Sequence, residues 1–90
     1  MRQKDAILTS LKQVDFSRYK LPACVIYNDT TNDYPGKFLV RVYEEGKPTN
    51  IIVVKSTLQE ICDDTREYFP GVTFIPAAAE DDPVIIGVYM

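Results

Sequence analysis

Histidine is absent from the 90 residues of this chain. The absence removes the commonest general base near neutral pH and the commonest metal ligand together. It counts against hydrolase chemistry, because a serine or cysteine nucleophile needs a base beside it. The pair Lys55-Ser56 is the nearest substitute, and it reads as a strand end followed by a helix cap. The four glycines, Gly36, Gly46, Gly71 and Gly87, are too scattered to cradle a phosphate. The two cysteines, Cys24 and Cys62, cannot complete a structural zinc site without histidine unless carboxylates join them. Both read as small buried thiols of a reducing compartment. No apolar run approaches the roughly eighteen residues of a membrane span, and polar residues break "MRQKDAILTSLKQ" too early for a signal h-region. The expectation is a cytoplasmic, non-enzymatic protein with no membrane contact, no cofactor and no metal site.

What is present is a globular composition: 46% apolar residues, with six tyrosines and four phenylalanines. Ninety residues make one domain, 1–90, which buries roughly 60 to 65% of the surface its unfolded chain exposes. A ligand cavity of roughly 300 Å³ is hard to accommodate in so thin a core. Function is therefore expected on the surface.

Ile7, Leu8, Leu11 and Val14 recur at near-helical spacing behind Asp5, which predicts a short N-terminal helix and connector over residues 1–21. Residues 22–90 should hold the main sheet and a second helix. "ACVIY" (23–27) reads as a buried strand, and "NDTTNDYPG" as a loop. "KFLVRVYEE" alternates apolar and mixed faces, and with "IIVV" (51–54) across "GKPTN" it predicts a hairpin. In "STLQEICDDTREYFPG", Ser56 and Gln59 form a capping box and Pro70-Gly71 a stop. Leu58, Ile61, Cys62, Thr65 and Phe69 fall on the inner side of that helix. "VTFI" and "VIIGVYM" add two strands, Pro83 opening the second, whose exposed edge could support a homodimer. The order predicts an α+β domain, one small sheet of four to five mostly antiparallel strands packed with two helices.

Charge is unevenly distributed. Residues 1–55 hold nine Lys/Arg and six Asp/Glu, a balance of +3, whereas residues 56–90 hold one Arg and seven Asp/Glu, a balance of −6. Glu60, Asp63, Asp64 and Glu67 fall at i, i+3, i+4 and i+7 on the second helix, opposite its apolar side, and predict an exposed acidic stripe. Glu80, Asp81 and Asp82 follow in a turn; beside the stripe they would put seven carboxylates in one region, enough to steer a basic protein surface. Asp81 and Asp82 could also hold magnesium through water, though a polar turn is the simpler reading. In the basic half, Lys37, Arg41 and Tyr43 combine charge and stacking surface, the alternative of a small nucleic-acid-binding module.

Four stretches, "YPGKFLVRVY" (34–43), "GKPT" (46–49), "STLQEI" (56–61) and "DDPVIIGVYM" (81–90), give residues 23–90 a pattern that resembles small proteins of Gram-positive mobile genetic elements. The resemblance carries no catalytic motif. It implies an inhibitor of the anti-CRISPR or anti-restriction kind, which occupies the basic surface of a host nuclease such as a CRISPR effector or its RNA complex. The +3 half departs from a pure nucleic-acid mimic.

Overall fold

A computed structural model of the chain describes residues 5–30, 34–71, 73–78 and 83–90. The described residues form a mixed six-stranded sheet and one α-helix. In chain order the elements are β1 (Ala6–Leu8), 3-10 turns at Leu11–Gln13 and Phe16–Arg18, β2 (Pro22–Tyr27), β3 (Phe38–Glu44), β4 (Lys47–Lys55), α1 (Leu58–Tyr68), β5 (Phe74–Pro76) and β6 (Ile85–Tyr89). Across the sheet the order is β1-β4-β3-β2-β6-β5; β1 runs parallel to β4 and every other pair is antiparallel. No helix among the described residues is long and apolar enough to cross a membrane.

The expected N-terminal helix is a strand followed by two 3-10 turns. Ala6, Ile7 and Leu8 pair with Ile51, Ile52 and Val53, so β4 supplies hydrogen bonds that a short isolated helix could not match. Asp5 caps no helix; it pairs with Arg41. The hairpin is tighter than expected, because β4 starts at Lys47 and the turn is the pair Glu45-Gly46, with φ of +51° and +77°. Positive φ at both central residues matches the right-handed twist of the flanking strands. The helix cap lies one residue later than expected, at Thr57 with Glu60. Strand β6 starts at Ile85, after a turn at Pro83, and lies between β2 and β5, so it offers no free edge.

One sheet face carries the core. Cys24, Ile26, Val40, Val42, Val53 and Tyr89 meet Ile61 and Phe69 of the α1 segment and Leu11 and Phe16 of the 3-10 turns. Phe16 and Phe69 contact edge to face at 5.0 Å between centroids. Thr65, a fully buried polar residue, donates its hydroxyl to the Ile61 carbonyl at 2.8 Å, the back-bond that satisfies a hydroxyl within a helix. At the β6 end the Phe74 ring lies over Gly87 and packs on Tyr89 at 4.9 Å. The opposite face carries Val25, Leu39 and Ile52, which are buried as well and which the strand registers place together with Tyr27, Arg41 and Tyr43.

Candidate functional site

The acidic face of α1 is built by the same residues that start the helix. The Glu60 backbone N–H donates to Thr57 Oγ1 at 3.2 Å, and the Thr57 hydroxyl donates to Glu60 Oε1 at 2.9 Å. Asp63 accepts from the Gln59 amide at 2.8 Å and pairs with Arg66. The Gln59 hydrogen bond first, and Arg66 second, hold the Asp63 pKa below its ordinary value. Glu60, Asp63 and Glu67 are exposed.

Asp64 departs from the expected stripe. One of its oxygens accepts the Ser10 hydroxyl at 2.5 Å, and the other accepts the Leu11 backbone N–H at 2.7 Å. It is half-buried and ties the first 3-10 turn to α1. A backbone N–H at the start of a helical turn has no partner within the turn, and Asp64 supplies one from another element. The exposed stripe therefore narrows to Glu60, Asp63 and Glu67. Glu80, Asp81 and Asp82 lie outside the described residues.

The basic and aromatic residues are held by internal partners. Arg41 forms an ion pair with Asp5 at 2.9 Å and donates to the Thr49 carbonyl at 2.8 Å. Between the pairs Arg41↔Ile52 and Tyr43↔Pro48, β4 carries three residues opposite the single Val42. The bulge turns the Thr49 carbonyl toward the guanidinium, while the Thr49 hydroxyl donates to the Val42 carbonyl at 2.7 Å. Burial disfavours the charge on Arg41, but hydrogen bonding and attraction from Asp5 outweigh it and raise the pKa above its usual value. The hydroxyls of Tyr43 and Tyr27 hydrogen-bond to each other at 2.9 Å. These groups line a polar recess of about 370 Å³ on the face away from α1. Lys37 stands apart in the approach to β3, its ammonium donating to Ser56 Oγ at 3.2 Å.

Beside that recess lies a feature the charge pattern does not reveal, an apolar groove of about 530 Å³ whose lining includes Leu21, Ala23, Val25, Val88 and Met90, with Glu45 at its rim. The sequence signal for it is the alternation Leu21, Ala23, Val25 in step with Val88 and Met90, apolar residues on the side of each strand that the helix does not reach. Nothing among the described residues gathers three metal-ligating side chains. Comparison with family models, curated proteins and solved structures finds no match to this chain.

Proposed function

We propose that the chain is a binding protein that acts without catalysis, covering a basic surface of a partner protein with the outer face of α1. The observation that carries this reading is the set of exposed carboxylates Glu60, Asp63 and Glu67 on one helix, with Arg66 as the neighbouring countercharge. The inner face of the same helix is anchored by Ile61, Thr65 and Asp64, so the acids are presented on a rigid support and association costs little ordering. Leu58, expected on the inner side of the helix, is 37% exposed at its first turn and lies well round from the acids. The resemblance to mobile-element proteins implies a host nucleic-acid-handling nuclease, such as a CRISPR effector, as the partner. Nucleic acid itself is disfavoured as a ligand, because Arg41 and Tyr43 are engaged by Asp5 and Tyr27.

The test is parallel affinity capture, from a Gram-positive bacterial lysate, on the wild-type chain and on a Glu60→Gln/Asp63→Asn/Glu67→Gln variant. A basic partner should be retained by the wild type at low salt, be released as the Debye length shrinks below about 8 Å, and be lost with the variant. Equal retention by the two proteins overturns the reading.

A further inference from the structure

The sheet face turned away from α1 carries a continuous apolar strip at its β2-β6-β5 end. Its floor is Val25 of β2, only 6% exposed, with the half-buried Ala23 of β2 and Val88 of β6 beside it; its exposed members are Leu21, which precedes β2 in the same alternation, Ile75 of β5, which the register sets next to Val88, and Met90. Met90 continues the β6 alternation. Leu21, Met90 and Ile75 are 80%, 57% and 46% exposed. Leu21 adopts a φ of +48°, a left-handed conformation disfavoured for any residue with a Cβ and further disfavoured before a proline such as Pro22. The backbone strain holds an apolar side chain in water, where it gains no packing within a single chain. Strain of this kind concentrates at functional positions.

We propose that this strip is the two-fold interface of a homodimer, the sheets of two copies stacking through these faces with Leu21 and Met90 of each copy seated in the other's groove. Three large apolar side chains, Leu21, Met90 and Ile75, leave water together on such stacking.

The charges also fit a second copy. Exposed Lys20 and exposed Glu45 sit side by side at the rim, joined by the Glu45 N–H donating to the Lys20 carbonyl at 3.1 Å. A rim that offers both signs next to each other is self-complementary about a two-fold axis, where residue i meets j and j meets i. The exposed acids Glu60, Asp63 and Glu67 are on α1, across the sheet, so the negative excess of one copy does not confront that of the other. Pairing through the sheet edges is less favourable, because β1 and β5 are three residues each and Pro76 lacks the N–H that edge pairing needs.

Sedimentation equilibrium on the full chain between about 1 and 500 µM tests the proposal. The wild type should reach twice its 10.2 kDa mass. Leu21→Asn, which tolerates positive φ, combined with Met90→Lys should weaken self-association by roughly tenfold or more, while circular-dichroism melts at a concentration where both proteins sediment as monomers stay unchanged. Reversing either Lys20→Glu or Glu45→Lys should weaken the dimer, and reversing both should restore it. A wild type that stays monomeric across the range, or a dimer that the Leu21/Met90 variant leaves intact, overturns the proposal. Should that variant melt abnormally, Ile75→Lys must produce the same loss. The Glu60/Asp63/Glu67 variant should dimerise normally, which keeps this outcome separate from the test of partner binding.

Discussion

Replacing Asp64 should unfold the protein at much lower temperature than replacing its neighbour Asp63, although the two are adjacent acids on one helix. Asp64 accepts two hydrogen bonds from a different element, from Ser10 and from the Leu11 backbone. Hydrogen bonds to a charged group contribute about 1.5 to 3 kcal/mol each. Partial exposure argues for the lower half of that range, so Asp64→Ala should cost about 3 to 4.5 kcal/mol. Part of this is the Leu11 N–H left without an acceptor beside a side chain that is fully buried. For a domain of this size each kcal/mol moves the melting temperature by roughly 4 to 8 °C, which predicts a fall of about 12 to 36 °C. Asp64→Asn keeps one acceptor oxygen and should lose roughly half as much.

Asp63 is the internal control. Its contacts with Gln59 and Arg66 are within the helix and open to water, so Asp63→Asn should leave the melting temperature within about 3 °C. Thermal and urea denaturation followed by circular dichroism measure both variants, and the urea slope reports whether the folded state has kept its compactness. The reasoning fails if Asp64→Ala and Asp63→Asn melt together. It also fails if Ser10→Ala, which removes one of the two donors, is as damaging as Asp64→Ala.

Three further perturbations test separate parts of the structure. Asp5→Asn should cost about 1 to 3 kcal/mol by leaving the half-buried Arg41 guanidinium without its countercharge, and a cycle with Arg41→Gln should show coupling between the two in urea melts; simple additivity would refute the pair. Gly87→Ala should cost about 1 to 3 kcal/mol, because an added Cβ meets the Phe74 ring and the Ile75 carbonyl; Phe74→Leu in the same chain should recover part of the loss, and no recovery would show that the ring is not the obstacle. Burial, and secondarily the charge of Asp64, push the Cys24 thiol from 9.0 to about 12. The folded state therefore keeps Cys24 protonated where the unfolded chain ionises it. Stability should be complete below pH 9 and fall by up to about 1.4 kcal/mol per pH unit above it. Tyr89, raised first by burial and then by Cys62, adds in the same direction. Equal pH slopes for the wild type and Cys24→Ala above pH 9 would refute the Cys24 contribution.

The parts of the fold that could be read from sequence are those fixed by local pattern. The helix 58–68 announces itself by its Ile61/Thr65/Phe69 stripe and the Pro70 stop, with the cap misplaced by one residue, and β3 by the alternation of Phe38, Val40 and Val42. The N-terminal segment could not be read in this way. Ile7, Leu8 and Leu11 suit a helix and a strand about equally, and the deciding partners, Ile51 to Val53, lie more than forty positions away. Asp64 shows the same limit at the level of one side chain. At 100° per residue it stands about 60° from Ile61, against about 160° for Asp63, so the helical wheel places it on the flank of the buried side. What draws it inward is the 3-10 turn at Ser10, itself marked by the spacing of Ser10 and Gln13 but hidden by the competing helical pattern. The apolar groove was obscured differently: alternation identifies two faces for each strand, but Val25, Leu39 and Ile52 are buried on the face that α1 does not cover, so the pattern does not show which part of that face is open.

The two surfaces lie on opposite sides of one sheet, and that placement makes their contributions separable. A dimer joined through the open faces stacks the sheets about 10 Å apart and leaves both α1 helices outermost, so each dimer presents two acidic faces pointing away from each other. No single flat basic surface can meet both faces at once. The Leu21→Asn/Met90→Lys variant should therefore bind one isolated basic partner with nearly the affinity of the wild type. It should lose affinity chiefly on a partner displayed at high density, where the second arm rebinds at high effective concentration. Surface plasmon resonance at sparse and dense partner loading distinguishes the cases. A large loss at sparse loading would mean that the groove contacts the partner directly and that the two surfaces are one.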